Sequence, residues 1–118
     1  MADELKKYLD ERNQQPCIIM ITGKNCIPCD NIKPKYLKYS TKTKDVAFVR
    51  PLDVDDINTP ECREKIGFKV KSLPVFAGFV GGECLVHFVG ADEKQLSQMV
   101  EIMMKEASAS KNMKKLRI

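Results

Sequence analysis

The stretch TGKNCIPCDNIKP, Thr22 to Pro34, holds the residues best suited to chemistry. Cys26 and Cys29 stand two residues apart, between an apolar run and a lysine-rich helical pattern. Two thiols at this spacing can hold half a metal site, form a redox disulfide, or pack as small hydrophobes. A structural zinc site needs about four ligands. The other candidates, Cys17, Cys62, Cys84 and the lone His87, are scattered without a second close pair, so no metal is expected. Cys17 and Cys84 fall in strand patterns and read as core. Cys62 falls on a helical pattern and also reads as inert, unless its thiol reaches the surface and is open to oxidation. His87 has no cysteine or carboxylate at a catalytic spacing and reads as a strand-face residue.

Several elements must position the pair. Leu5, Tyr8 and Leu9 form a short helical stripe that should end near Asn13 to Pro16. CIIMI, Cys17 to Ile21, is short and continuously apolar, as a strand buried on both faces requires. After it, Cys29, Ile32, Tyr36 and Leu37 approximate helical spacing, and Pro34 should kink that helix. Val46 to Val54 reads as one strand, frayed or bulged at Pro51. NTPECREKIG is a punctuated helix: Thr59 caps it, Pro60 suits its first turn and Gly67 stops it. LPVFAGFV and CLVHFV pair as a hairpin across Gly81-Gly82. Asp92 with Gln95 resembles a capping box. The helix it opens places Leu96, Met99, Val100, Met103 and Met104 on one face, and core filling is the reading for that methionine stripe. The order αβαβαββα gives an α/β fold with a mixed sheet and helices on both faces.

The 118 residues suit one domain, set at 1–110 with a short basic tail at 111–118. With 43% hydrophobic and 31% charged residues, the composition is that of a globular protein rather than a disordered one. The net charge of +4 is mild, and solvated lysines explain it better than a nucleic-acid face, for which no reading motif exists. No apolar run approaches the roughly 20 residues of a membrane span. The N-terminus has no apolar h-region, and five cysteines form no paired framework, so a reducing, cytoplasmic location is expected.

Across nearly its whole length the sequence resembles the thioredoxin family. A CxxC follows the first strand, a proline follows its second cysteine by five residues, LDVDD resembles the family's third strand and its exit, and FKVKSLPVF resembles the segment with the family's cis-proline. GGECLVHFVGADEKQL is similar to the final hairpin and helix start, including Gly90. The resemblance implies a thioredoxin fold and dithiol–disulfide exchange on protein substrates by a monomer without cofactor. A dedicated reductase or glutathione would restore the dithiol. It makes Cys26 the nucleophile and Cys29 the resolving thiol. Asn25, Ile27, Pro28, Leu73, Pro74 (as a cis-proline) and Gly90 would form the substrate-binding surface. A helix N-terminus at Cys26 would favour its thiolate, the attacking species. Four departures stand out: Asn25 replaces the family's tryptophan, Ile27 its glycine, Met20 its buried aspartate, and Pro51 a residue that is often charged. The absent tryptophan leaves two alternatives, a redox-inert adaptor with this fold and a glutathione-dependent, glutaredoxin-like enzyme.

Overall fold

The computed structural model describes residues 2–10, 12 and 14–116. Its elements are α1 (Ala2–Tyr8), β1 (Cys17–Thr22), α2 (Ile27–Lys42), β2 (Ala47–Phe48), β3 (Leu52–Asp53), α3 (Val54–Ile57), α4 (Pro60–Ile66), β4 (Val75–Val80), β5 (Glu83–Val89) and α5 (Glu93–Leu116). The strand order is β2-β1-β4-β5, with β3 also paired to β1. β1 runs parallel to β2 and β3 and antiparallel to β4, and β4 pairs antiparallel with β5. The sheet is therefore mixed, as expected.

The continuous apolarity of β1 has a direct cause. Cys17, Ile19 and Ile21 point into one core layer with Leu5, Leu9, Ile57, Cys62, Ile66 and Phe79. Ile18 and Met20 point into the other with Cys29, Ile32, Tyr36, Phe76, Leu96, Met99 and Met103. The period-two alternation of a strand sends each residue from Cys17 to Ile21 to a layer covered by helices, and only Thr22 at its end is polar and partly exposed.

The strand expected at Val46–Val54 is split. Val49 still donates its N–H to the Ile18 carbonyl at 2.9 Å. Pairing then lapses at Arg50-Pro51, where proline has no N–H to offer, and resumes at Leu52 opposite Ile21. Val54 belongs to a helical turn rather than to the strand, because the Asp53 carboxylate caps α3 by accepting from the Asp55 N–H at 2.9 Å. α4 begins and ends as its sequence dictates, with Thr59 accepting from Cys62 N–H at 3.1 Å and Gly67 left-handed at φ 85°. The hairpin turns through Gly81 and Gly82, both at positive φ.

Two residues leave the faces assigned to them. Leu37 and Met104 are exposed. On α2 the buried line runs Cys29, Ile32, Tyr36, and Leu37 lies a further 100° round the helix. On α5 the line passes from Met103 to Ala107, which turns Met104 outward. α1 ends at Tyr8, earlier than its stripe suggested, and Asn13 lies outside the described residues. α5 continues to Leu116, through most of the segment set apart as a tail, and Arg117 and Ile118 lie outside the described residues.

Candidate active site

The site forms where the chain leaves β1 and enters α2. Asn25 takes a left-handed conformation, φ 56°, which asparagine tolerates better than most residues. It turns the backbone so that Cys26, extended at φ −107° and ψ 95°, becomes the N-cap of α2. The Cys29 N–H donates to Cys26 Sγ at 3.2 Å, and the Asp30 N–H to the Cys26 carbonyl at 3.1 Å. The sulfur thus fills the role a serine or aspartate oxygen plays at other helix starts. Donation from N–H and the positive end of the helix both favour a negative sulfur. Pro28 sits in the first turn, where its missing N–H costs nothing. α2 continues through Pro34, whose missing N–H leaves the Asp30 carbonyl without its helical donor.

Cys26 and Cys29 are joined by a disulfide, with 5.3 Å between their Cα atoms. Their surroundings differ. Cys26 is half-buried at the rim, whereas Cys29 is 0% exposed among Met20, Ile32 and Phe76. Asn25, Pro28 and Lys24 are exposed, and Ile27 is 71% exposed beside the disulfide.

The Leu73–Pro74 peptide bond is cis. Leu73 packs against both core layers, and Cys26 packs against the one that holds Cys29. A Cβ placed on Gly23 would lie 2.6 Å from Leu73 Cδ1, so the loop before the cysteines and the segment before Pro74 touch. Gly90 donates its N–H to the Pro74 carbonyl at 2.9 Å, which fixes the end of β5 to the same segment. Asn25, Cys26, Ile27, Pro28 and Cys29 therefore stand on one loop and helix start, and Leu73, Pro74 and Gly90 on the segment beside them. Gly23 was overlooked in the sequence. Its signal was a glycine between a strand end and a CxxC, where backbone must pass close to a neighbour.

Tyr36 anchors the helix that carries the pair. Its buried hydroxyl lies 3.0 Å from the Ile18 carbonyl and also meets that of Val49, linking α2 to β1 and to the segment between β2 and β3. Burial raises the pKa of this phenol, so it remains a proton donor.

The other thiols belong elsewhere. Cys17 is buried in the α1/α4 layer, donates to the Tyr8 carbonyl at 3.6 Å, and is pushed by burial up to a pKa of about 12. Cys62 is buried in that layer too, which removes the exposed, oxidisable alternative. Cys84, half-buried, donates to the Val86 carbonyl, and burial raises its pKa. His87 stacks on Phe68 with ring centres 4.5 Å apart. Among the described residues no group of three or more His, Cys, Asp or Glu side chains is placed to hold a metal.

A dithiol pair with one reachable and one buried sulfur, set at a helix start on a mixed sheet, defines a thiol–disulfide oxidoreductase. The thioredoxin family model matches residues 1–103, and the chain belongs to the thioredoxin family. It is 31% identical to thioredoxin-3 of Dictyostelium discoideum, over 84% of this chain and 88% of that one. It is 30% identical to human thioredoxin, over 80% of this chain and 86% of that one. The X-ray structure of Fasciola hepatica thioredoxin superposes with a TM-score of 0.72 at 26% identity, covering 86% of this chain and 93% of that one. The protein is accordingly a protein-disulfide reductase in class and acts on protein disulfides. The adaptor and glutaredoxin-like alternatives are not favoured. Among the described residues no helix is long and apolar enough to cross a membrane.

Proposed function

We propose that Cys26 is the attacking thiol and Cys29 the resolving thiol of a two-step exchange. The Cys26 thiolate attacks one sulfur of a substrate disulfide, forms a mixed disulfide and displaces a substrate thiolate. The Cys29 thiolate then attacks Cys26 Sγ and releases the second substrate thiolate. The two protons of the protein dithiol end on the substrate thiols, and two electrons pass with them. The contrast in exposure carries this reading: a substrate sulfur can reach Cys26 at the rim, whereas Cys29 is reached only through Cys26.

Asn25, Ile27, Pro28, Leu73, Pro74 and Gly90 form the surface on which an extended substrate segment lies. Leu73 precedes β4 and stands outside the strand pairing, which supports a role for its backbone in holding that segment. A reductase or glutathione supplies electrons to the oxidised pair, and the protein works as a monomer. Three thiols left free beside the pair suit a reducing compartment such as the cytoplasm.

Dithiothreitol-coupled reduction of insulin tests the assignment. The unaltered protein should accelerate it, and Cys26→Ser should fall to the background rate. An active Cys26→Ser variant would refute the role given to Cys26.

A further inference from the structure

Positive charge is unevenly spread along this chain. Residues 24–44 carry six lysines against one carboxylate, Asp30, a net of +5, so everything outside this segment sums to −1 of the chain's +4. All six lysines, Lys24, Lys33, Lys35, Lys38, Lys42 and Lys44, are exposed. The excess therefore lies on the helix that carries the redox pair and on its two flanks. Lys35, Lys38 and Lys42, spaced by three and four residues, share one face of α2. With Tyr39 and Glu93 they line a hollow of about 180 Å³ beside α5. Lys35 is paired with Glu93 at 3.5 Å, and both partners are largely exposed. Lys33, Lys38 and Lys42 form no ion pair with a described residue.

We infer that this lysine field selects disulfide substrates whose cysteines lie beside an acidic stretch of protein. The inference rests on the exchange at Cys26 proposed above and names the substrate class for it. At 1.5 Å rise per residue, Lys35 lies about 9 Å beyond Cys29 along the helix and Lys42 about 20 Å beyond it. A segment of six or seven extended residues spans that distance. The occupant must also bring a disulfide to Cys26, which a polynucleotide or a lipid headgroup does not possess. Beside Cys26, Ile27 offers an apolar contact at 71% exposure, so a substrate can anchor there while its acidic residues follow the lysines. Unpaired lysines attract such a segment without first breaking an internal ion pair. The field reaches through roughly 8 Å of solvent at physiological salt.

The test compares two peptides that differ only in the residues flanking one disulfide, glutamates in one and lysines in the other. Hydroxyethyl disulfide serves as a small neutral control. The reduced protein should react with the acidic peptide at least about tenfold faster than with the basic one at low ionic strength. The ratio should shrink several-fold as salt rises to about 0.2 M. The triple variant Lys33→Glu, Lys38→Glu, Lys42→Glu takes the segment from +5 to −1 and should invert the preference. It should leave the rate with hydroxyethyl disulfide unchanged. The corresponding glutamine triple, which removes the charge without reversing it, should abolish most of the preference and serves where the glutamate variant does not fold. Equal rates for the two peptides, with the neutral disulfide reduced normally, would overturn this inference and leave the exchange reading intact. No reaction with any of the three would remove the exchange reading itself. Stronger inhibition by a polynucleotide than by poly-glutamate of equal charge would overturn the assignment to acidic protein.

Discussion

Replacing Met20 with aspartate restores the side chain that thioredoxins carry at this position and tests how Cys29 loses its proton. Met20 is 0% exposed and packs in the same apolar layer as Cys29, and no charged residue is buried among the described residues. No carboxylate in that layer can therefore accept the proton, which must pass to water or to another group. Only the thiolate attacks, so the resolving step should quicken with pH, nearly tenfold per unit, until the Cys29 thiol titrates. A positioned general base typically contributes about 10²–10⁴-fold, so Met20→Asp should shorten the life of the mixed disulfide by that order near neutral pH and flatten its pH dependence. Stability should fall. Losing a buried methionine costs about 2–5 kcal/mol where the site cannot close, and burial raises a carboxyl pKa. The unfolded aspartate ionises near pH 3.9 while the folded one holds its proton longer. The deficit should thus be smallest below that pH and grow by up to about 1.4 kcal/mol per unit until the folded carboxyl titrates. Rapid-quench trapping with a protein disulfide, followed from pH 6 to 9, reads the lifetime directly. Met20→Leu keeps the packing without the base and should behave as the parent does. Equal lifetimes and equal pH slopes in the aspartate variant would refute the reasoning, because Cys29 would already have another proton acceptor.

Cys29→Ser should still attack substrate and accumulate mixed disulfides, visible on non-reducing gels, whereas Cys26→Ser should form none. In the reduced native protein at pH 7, a maleimide should label Cys26 first. Cys17, held near pKa 12 by burial, should react only on unfolding, as peptide mapping would report. Tyr36→Phe removes the hydroxyl that reaches the carbonyls of Ile18 and Val49 and should cost about 1–3 kcal/mol by denaturant titration. Gly23→Ala drives a methyl to within 2.6 Å of Leu73 Cδ1 and should push the Leu73 side chain out of its place beside the cysteine loop. KM for insulin should rise several-fold, while the rate with hydroxyethyl disulfide should hardly change.

What was legible in the sequence was whatever local chemistry determines. The CxxC, the Thr59–Gly67 punctuation of α4 and the Gly81-Gly82 turn each act within a few residues, and the structure keeps all three. Pro51 announced a disturbance, but not that the strand would divide into β2 and β3. That outcome depends on which carbonyls β1 presents at Ile18 and Ile21. The capping of α3 by Asp53 was equally hidden, because LDVDD alternates as a strand does until the aspartate finds its partner N–H. Leu37 and Met104 show the limit of periodicity, since each lies one step round the helix from a buried residue and only the neighbouring element decides its side. The contact of Gly23 with Leu73 joins residues fifty positions apart and has no local signature. The lysines of α2 were visible singly, and their concentration gained meaning only once that helix was known to hold the redox pair.

The central claim is that Cys26 and Cys29 exchange their dithiol for a substrate disulfide. A single turnover measures this most directly: reduced protein is mixed with insulin in the absence of any other reductant, quenched in acid, and mapped. The account predicts one Cys26–Cys29 disulfide for each insulin disulfide opened, with Cys17, Cys62 and Cys84 recovered as thiols. Insulin opened without that disulfide, or oxidation appearing at the other three cysteines instead, would contradict it.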